Sequence, residues 1–389
     1  MFDESLLDDP DALSRADLHG LLRGAAESGA RVRTAMRNAD EAGVGTLTPD
    51  GRPRAVLVAG PGPAAGSAAD LLGALADGSC PVAFIRPSGV APAPGALRWT
   101  LPGWTGPLDL LLVASPDGTE PGLGLLIEQA YRRGCSVVSV SPAGTPLAEA
   151  TAQARGLAIP LTTTWYENAT AGGERGADTE QAARVLPTGP GTLWSLLTPL
   201  LALADRIGLL GAPGVSLDTL ADRLDQLAER CGPAIATYSN PAKTLAAELA
   251  DTLPLIWTEG ELAAAVGRRF ATVLAALAGR PALPAELPEA LTAHSTLLAG
   301  ALAAGADPED FFRDRVEEPE ALHARVVLLR EQAPTVTSPA AAARDLALHR
   351  DTPVSELEAA EGSSPLETAA ELLAVTDFAA VYLALAGTP

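Results

Sequence analysis

Two loops hold the residues best suited to gripping an anion. In AGPGPAAGS, Gly60, Gly62, Gly66 and Ser67 follow an apolar run, and in ASPDGTEPG, Ser115, Asp117, Gly118 and Thr119 follow another. Backbone N–H groups at a glycine turn or a helix N-terminus attract phosphate or carboxylate. The glycines at 60, 62 and 66 do not make a dinucleotide fingerprint, and Pro61 and Pro63 remove two backbone donors. The first loop therefore reads either as a modified small-anion loop or as a tight structural turn. In the second, Ser115 and Thr119 offer hydroxyls near a helix start, whereas Asp117 and Glu120 repel a dianion. The alternative is that Ser115, Asp117 and Thr119 only cap that helix.

His323 follows Glu320 by three residues, which on a helix shares one face, and the pair reads either as a carboxylate supporting the imidazole as a proton carrier or as a surface pair with no role. Asp377 lies inside a nonpolar terminal helix, where a buried carboxylate needs a partner, so it is expected to bond across a helix interface. Cys80, Cys135 and Cys231 are odd in number and form no CxxC, which reads as reduced, buried residues. No metal and no cofactor are predicted.

The elements that position these residues alternate. From Ala55, the strands AVLVA, PVAFIR, LDLLLVA, SVVSVS and LAIPL are separated by the helices SAADLLGALA, GLLIEQAYRRG and TPLAEATAQARG. Continuous apolar strands between helices predict a doubly wound α/β unit with a parallel sheet over about residues 50–162. The expected organisation is an N-terminal helical arm over 1–48, a first α/β domain over 49–190, bridging helices over 191–228 and a second, mixed α/β domain over 229–389 ending in a long helix. Within the second domain, Leu253–Trp257 is read as a strand between two helices, echoing the first unit.

Charge narrows the partners. The 389 residues carry 27 basic and 48 acidic side chains, a net charge of −21, with no basic block. Such a surface repels phosphate backbones and anionic lipid, so neither nucleic acid nor membrane is an expected partner. The acidic start Met-Phe-Asp-Glu is the reverse of a signal peptide, and no apolar run reads as a membrane span, which makes the cytoplasm the expected location.

Four stretches in order carry a family resemblance: LLDDPDALSRADLHGLL, then LLVASPDGTEPGLGLLIEQAYRRGCSVVSVSPAGTPLAEATAQARG, then YSNPAKTLAAEL with PLIWTEG, and last EGSSPLETAAELLAVTDFAAVYLALAG. The chain resembles the bifunctional phosphoglucose/phosphomannose isomerase family, built of sugar isomerase (SIS) domains. The resemblance implies two α/β SIS lobes, a homodimer, a small-molecule sugar phosphate as partner, and metal-free interconversion of glucose 6-phosphate or mannose 6-phosphate with fructose 6-phosphate. It also implies hydroxyl-rich loops for the phosphate, a glutamate base and a histidine for ring opening.

Carried over by position, the family loop Ser-Tyr-Ser-Gly-Asn-Thr becomes Ser115-Pro116-Asp117-Gly118-Thr119-Glu120, in which Ser115 and Gly118 match. The loop Gly-Met-Gly-Gly-Ser becomes Gly60-Pro61-Gly62-Pro63-Ala64, leaving Ser67 as the nearest serine. The implied substrate-binding set is thus Gly60, Gly62, Ser67, Ser115, Gly118 and Thr119. The catalytic stretch Pro-Glu-Leu-Asn-His-Asn-Glu is represented from Pro288 to Thr296, which nominates Glu289 and His294, with Thr296 at the glutamate position, and His323 as the other candidate acid. A family Pro-Arg pair is Pro190-Gly191 here. Two functions remain open: a phosphosugar isomerase, or a catalytically degenerate sugar-phosphate-binding, regulatory or interaction protein.

Overall fold

Apolar runs become parallel strands in the first half of the chain. β1 (Val56–Ala59), β2 (Val82–Ile85), β3 (Leu110–Ala114), β4 (Ser136–Ser141) and β5 (Leu157–Pro160) form one sheet in the order β2-β1-β3-β4-β5. All its pairings are parallel. Every residue of β1 and β3 is buried, as strands covered on both faces require. The computed structural model describes residues 2–48, 51–76, 78, 80–89, 97–162, 189–210, 216–299, 302, 323–332 and 338–387.

The helices before and around this sheet are α1 (Pro10–Ala16), α2 (Leu21–Ala26), α3 (Ser28–Glu41), α4 (Gly62–Leu75), α5 (Pro121–Arg132), α6 (Pro146–Gln153), α7 (Pro190–Arg206) and α8 (Leu217–Cys231). On one face Leu57, Leu111 and Val113 pack with Leu123, Leu126 and Ile127 of α5 and with Trp99. The almost wholly buried α7 packs against α3 and α4.

The second sheet repeats this topology in shorter form. β6 (Thr252–Glu259), β7 (Leu283–Glu286), β8 (His323–Arg330) and β9 (Val354–Glu358) stand in the order β7-β6-β8-β9, again all parallel. Its helices are α9 (Pro241–Leu249), α10 (Glu261–Ala278), α11 (Glu289–Ala293), α12 (Ser295–Ala299), α13 (Pro339–His349) and α14 (Pro365–Ala386). In each sheet the chain starts in the interior, steps to one edge and returns to the other side, so β1/β3 and β6/β8 mark the two reversals.

The chain divides into Leu18–Glu229 and a unit made of Met1–Asp17 with Arg230–Pro389. This splits the N-terminal arm expected over 1–48. The Asp3 N–H donates to the Ala386 carbonyl at 2.9 Å, and the Asp8 carboxylate accepts from the Thr237 N–H and hydroxyl at 2.8 and 2.9 Å. The first two short helical turns bury only Leu7 and Leu13 each, too little for a core of their own, so they dock onto the C-terminal unit. The segment read as a bridge, 191–228, lies within the Leu18–Glu229 unit.

α14 differs from expectation in another way. By length and a mean hydropathy of 1.7 it is apolar enough to cross a membrane, but 83% of its most apolar stretch is buried in the protein, as in a core helix. Its Asp377 accepts two hydrogen bonds from Arg269 of α10, at 3.1 and 2.8 Å, which is the helix-interface partner its position calls for.

Candidate functional site

In a doubly wound sheet, ligands sit beyond the carboxyl ends of the strands where the strand order reverses. Between β1 and β3 that point is formed by Gly60 and by the loop from Ser115. Gly60 is required by packing, since a Cβ there would lie 2.1 Å from the Ala114 carbonyl oxygen. The loop after β1 is shorter than the sequence reading, because α4 begins at Gly62. Only Gly60 and Pro61 remain in it; Gly66 and Ser67 lie inside the helix, with Ser67 buried at 8% exposure. Helix propensity in PAAGSAADLL overrides the glycine spacing there.

Ser115 to Thr119 do stand at the carboxyl end of β3, but their donors are already engaged. Ser115, fully buried, donates its hydroxyl to Asp117 Oδ1 at 3.0 Å and accepts from the Gly118 N–H at 3.0 Å. Asp117 Oδ1 also accepts from the Thr119 N–H at 3.2 Å. Glu120 caps α5 through the Gly122 N–H at 3.5 Å, so the capping alternative is realised by Glu120 and not by Ser115 or Thr119. Gly118 has a left-handed φ of +65°, and a Cβ there would meet Thr145 Oγ1 at 2.5 Å.

Thr145 and Ser141 belong to this edge and escaped the sequence reading. Thr145 caps α6 by accepting from the Ala148 N–H at 3.4 Å, and its hydroxyl lies 3.2 Å from Ser141 Oγ. The Leu147 N–H of α6 is taken by the Gly118 carbonyl at 3.1 Å. The available signal was Thr145-Pro146, a capping residue followed by proline at the first helical position.

The equivalent position of the second sheet is also filled by a carboxylate. Glu331, just beyond β8, accepts from the first N–H groups of α10, Leu262 at 2.7 Å and Ala263 at 3.1 Å. Gly260, with φ +103°, leaves room for it, since a Cβ there would meet Glu331 Oε1 at 2.1 Å. Beside it, Ser338 donates to Glu259, and the buried Arg330 bonds Glu356 and Glu358. A helix N-terminus saturated by an internal anion has little left for an external one.

The proton carriers nominated by resemblance are not assembled into one centre. His294 is buried, and its Nδ1 accepts from Trp257 Nε1 at 2.8 Å, which leaves the other ring nitrogen to carry the proton of the neutral form. Glu289 and Thr296 are exposed, on α11 and α12. His323 is exposed and opens strand β8 instead of lying on a helix; the Glu320 of its expected helical pair lies outside the described residues. In register His323 faces Thr252, the amino end of β6, five residues from Trp257, or about 16 Å along the strand. It therefore stands at the edge opposite to the carboxyl-end site, and far from His294.

Burial holds the pKa of His294 below its ordinary 6.5. The unfolded chain thus takes up the proton first as the medium acidifies, so this contribution to stability is complete above pH 6.5 and is lost as pH falls through the lowered folded value. Urea midpoints measured between pH 7.5 and 5 are expected to decline, with a shallower decline in His294→Gln. Equal slopes in both proteins would dissociate the Trp257 bond from acid sensitivity.

Among the described residues no three His, Cys, Asp or Glu side chains come together to hold a metal. The cysteines are buried, and burial pushes the thiols of Cys135 and Cys231 up to about 11, too high for a reactive thiolate at neutral pH.

Residues 238–387 match the bacterial phospho-glucose isomerase C-terminal SIS domain. Known structures share the fold over nearly the whole chain. Tagatose-6-phosphate ketose/aldose isomerase from Escherichia coli is 11% identical with a TM-score of 0.53, over 94% of this chain and 91% of its own. The C-terminal domain of glucosamine-fructose-6-phosphate aminotransferase from Francisella tularensis is 12% identical with a TM-score of 0.51, over 95% and 96%. A structure from Clostridium difficile 630 with a provisional phosphosugar isomerase assignment is 11% identical with a TM-score of 0.58, over 95% and 93%. No curated protein matches the sequence. Residues 238–387 thus carry a C-terminal SIS domain of the bacterial phospho-glucose isomerase type, and the two parallel sheets share the fold of these structures.

Proposed function

We propose that this chain is a catalytically degenerate phosphosugar isomerase: a cytoplasmic, homodimeric sugar-phosphate-binding protein with a regulatory or interaction role. In this reading the inherited reaction, glucose 6-phosphate or mannose 6-phosphate to fructose 6-phosphate, has been lost. The observation that carries it is the Asp117 carboxylate inside the β3 loop, which accepts from both the Ser115 hydroxyl and the Thr119 N–H. These are donors a phosphate would use, and they are bound to an internal anion instead. The residues offered as base and acid are solvent-facing in Glu289 and His323 and tied to Trp257 in His294.

The binding half of this reading is tested by calorimetric titration with fructose 6-phosphate and mannose 6-phosphate. Weak binding is expected in the wild type. Asp117→Ser removes the competing charge and frees the Ser115 hydroxyl, and is expected to tighten binding about fivefold, in keeping with one charge repulsion near water. Unchanged affinity in that variant would place the sugar phosphate away from the loop.

A further inference from the structure

We propose that a purine nucleoside monophosphate binds in an open groove at the amino ends of β3, β4 and β5, with its phosphate on Arg155 and its base against Tyr131. The groove has a volume of about 670 Å³, within the usual range for small-molecule sites. It lies at the end of the sheet opposite the β1/β3 crevice and does not depend on the sugar-phosphate reading.

Arg155 stands where glycine is the ordinary residue. α5 and α6 end with the same pair of bonds. After α5 the Gly134 N–H donates to the Tyr131 carbonyl and the Cys135 N–H to the Ala130 carbonyl, both at 3.0 Å. After α6 the Arg155 N–H donates to the Ala152 carbonyl at 3.0 Å and the Gly156 N–H to the Thr151 carbonyl at 2.9 Å. Such an end needs one left-handed residue. The first has Gly134 with φ +73°, whereas the second has Arg155 with φ +56°. A side chain is disfavoured in that conformation, so the arginine is held there against the preference of the backbone. It is exposed, and none of the described residues bonds its guanidinium.

The surroundings suit a phosphate carried on a ribose and a ring. Continuing the β4–β5 register back from Val138 and Leu157 sets Arg155 beside Ser136, whose hydroxyl is exposed. The two chains run close there, since a Cβ on Gly156 would come within 2.5 Å of the Val137 carbonyl oxygen. Asp109 is the only carboxylate among the described lining residues, and Arg54 neutralises it through two bonds of 3.0 and 2.6 Å. The wall therefore sets no unpaired carboxylate against an anion. Tyr131 and Leu108 line the same groove at 50% and 71% exposure, which leaves an aromatic and an aliphatic face open. A base stacks on such a face, and a purine covers more of it than a pyrimidine. The exposed hydroxyls of Thr48 and Ser136 favour a ligand with ribose hydroxyls over an acyl chain.

The test is calorimetry on the full chain with AMP and GMP, against adenosine and inorganic phosphate. At least one nucleotide is expected to saturate one site with a Kd of about 1 mM or tighter, and adenosine and phosphate to bind at least tenfold more weakly. Arg155→Gly is expected to weaken the nucleotide about tenfold through loss of a charge-assisted bond, while the melting temperature stays level or rises because glycine suits the left-handed position. Tyr131→Ala is expected to weaken it about fivefold through loss of stacking, and decides the matter if Arg155→Gly fails to fold. Absence of saturable binding by both nucleotides, adenosine or phosphate binding as tightly as the nucleotide, or affinity unchanged in either folded variant would overturn the proposal.

Discussion

Replacing Asp377 with alanine is expected to destabilise the C-terminal unit by about 3 to 5 kcal/mol, because it strands the Arg269 guanidinium in the core. Arg269 and Asp377 side chains are 1% and 5% exposed, and the two bonds between them are bidentate. Burial pushes the Asp377 carboxyl above its ordinary value, and the facing guanidinium opposes that shift. With the partner gone, the positive charge has neither water nor carboxylate. The paired change Arg269→Met with Asp377→Leu is expected to recover most of the loss, since well-packed apolar residues commonly replace a buried ion pair at little cost. Urea denaturation of the three proteins checks both expectations. A single-variant loss below about 1 kcal/mol would mean that water reaches the pair.

The strands of the first sheet were legible because each is an apolar run bounded by glycine, proline or polar turns, which leaves few alternatives. β7 and β9 were not. β7 contains Pro284 and is mostly exposed, and β9 alternates Val-Ser-Glu-Leu-Glu at the other edge, so neither presents the continuous apolar signal of an interior strand. His323 was misassigned for a related reason. A charged residue three positions after a glutamate suggests a helix, but the valines and leucines that follow pair with β6 and decide the conformation.

The site was legible only as a location. That Ser115 and Gly118 sit beyond β3 follows from the α/β pattern, whereas the direction of the Asp117 carboxylate depends on loop geometry that spacing does not encode. Motif residues also proved to hold structure. In YSNPAK, Asn240 caps α9 through the Ala242 and Lys243 N–H groups at 3.0 and 3.1 Å. The buried Lys243 ammonium donates to the Pro233 and Ile235 carbonyls, both at 2.7 Å, clasping the loop before α9. A family pattern records such clasps and catalytic groups alike.

The second large effect concerns catalysis. Interconverting an aldose and a ketose phosphate through an enediol requires removal of the proton from C2 of the aldose, and a positioned base contributes about 10² to 10⁴ in rate. Position 296 offers a threonine, which cannot serve near neutral pH. Glu289 faces solvent, and His294 Nδ1 is held by Trp257. Turnover is therefore expected to fall by at least that factor below that of a site with its base in place. Solvent deuterium incorporation at C2 of glucose 6-phosphate and mannose 6-phosphate, followed by NMR with the wild type, Glu289→Gln and His294→Ala, tests this most directly. Exchange at the uncatalysed background is expected in all three; exchange at an enzymatic rate in the wild type, abolished by either substitution, would contradict a degenerate site.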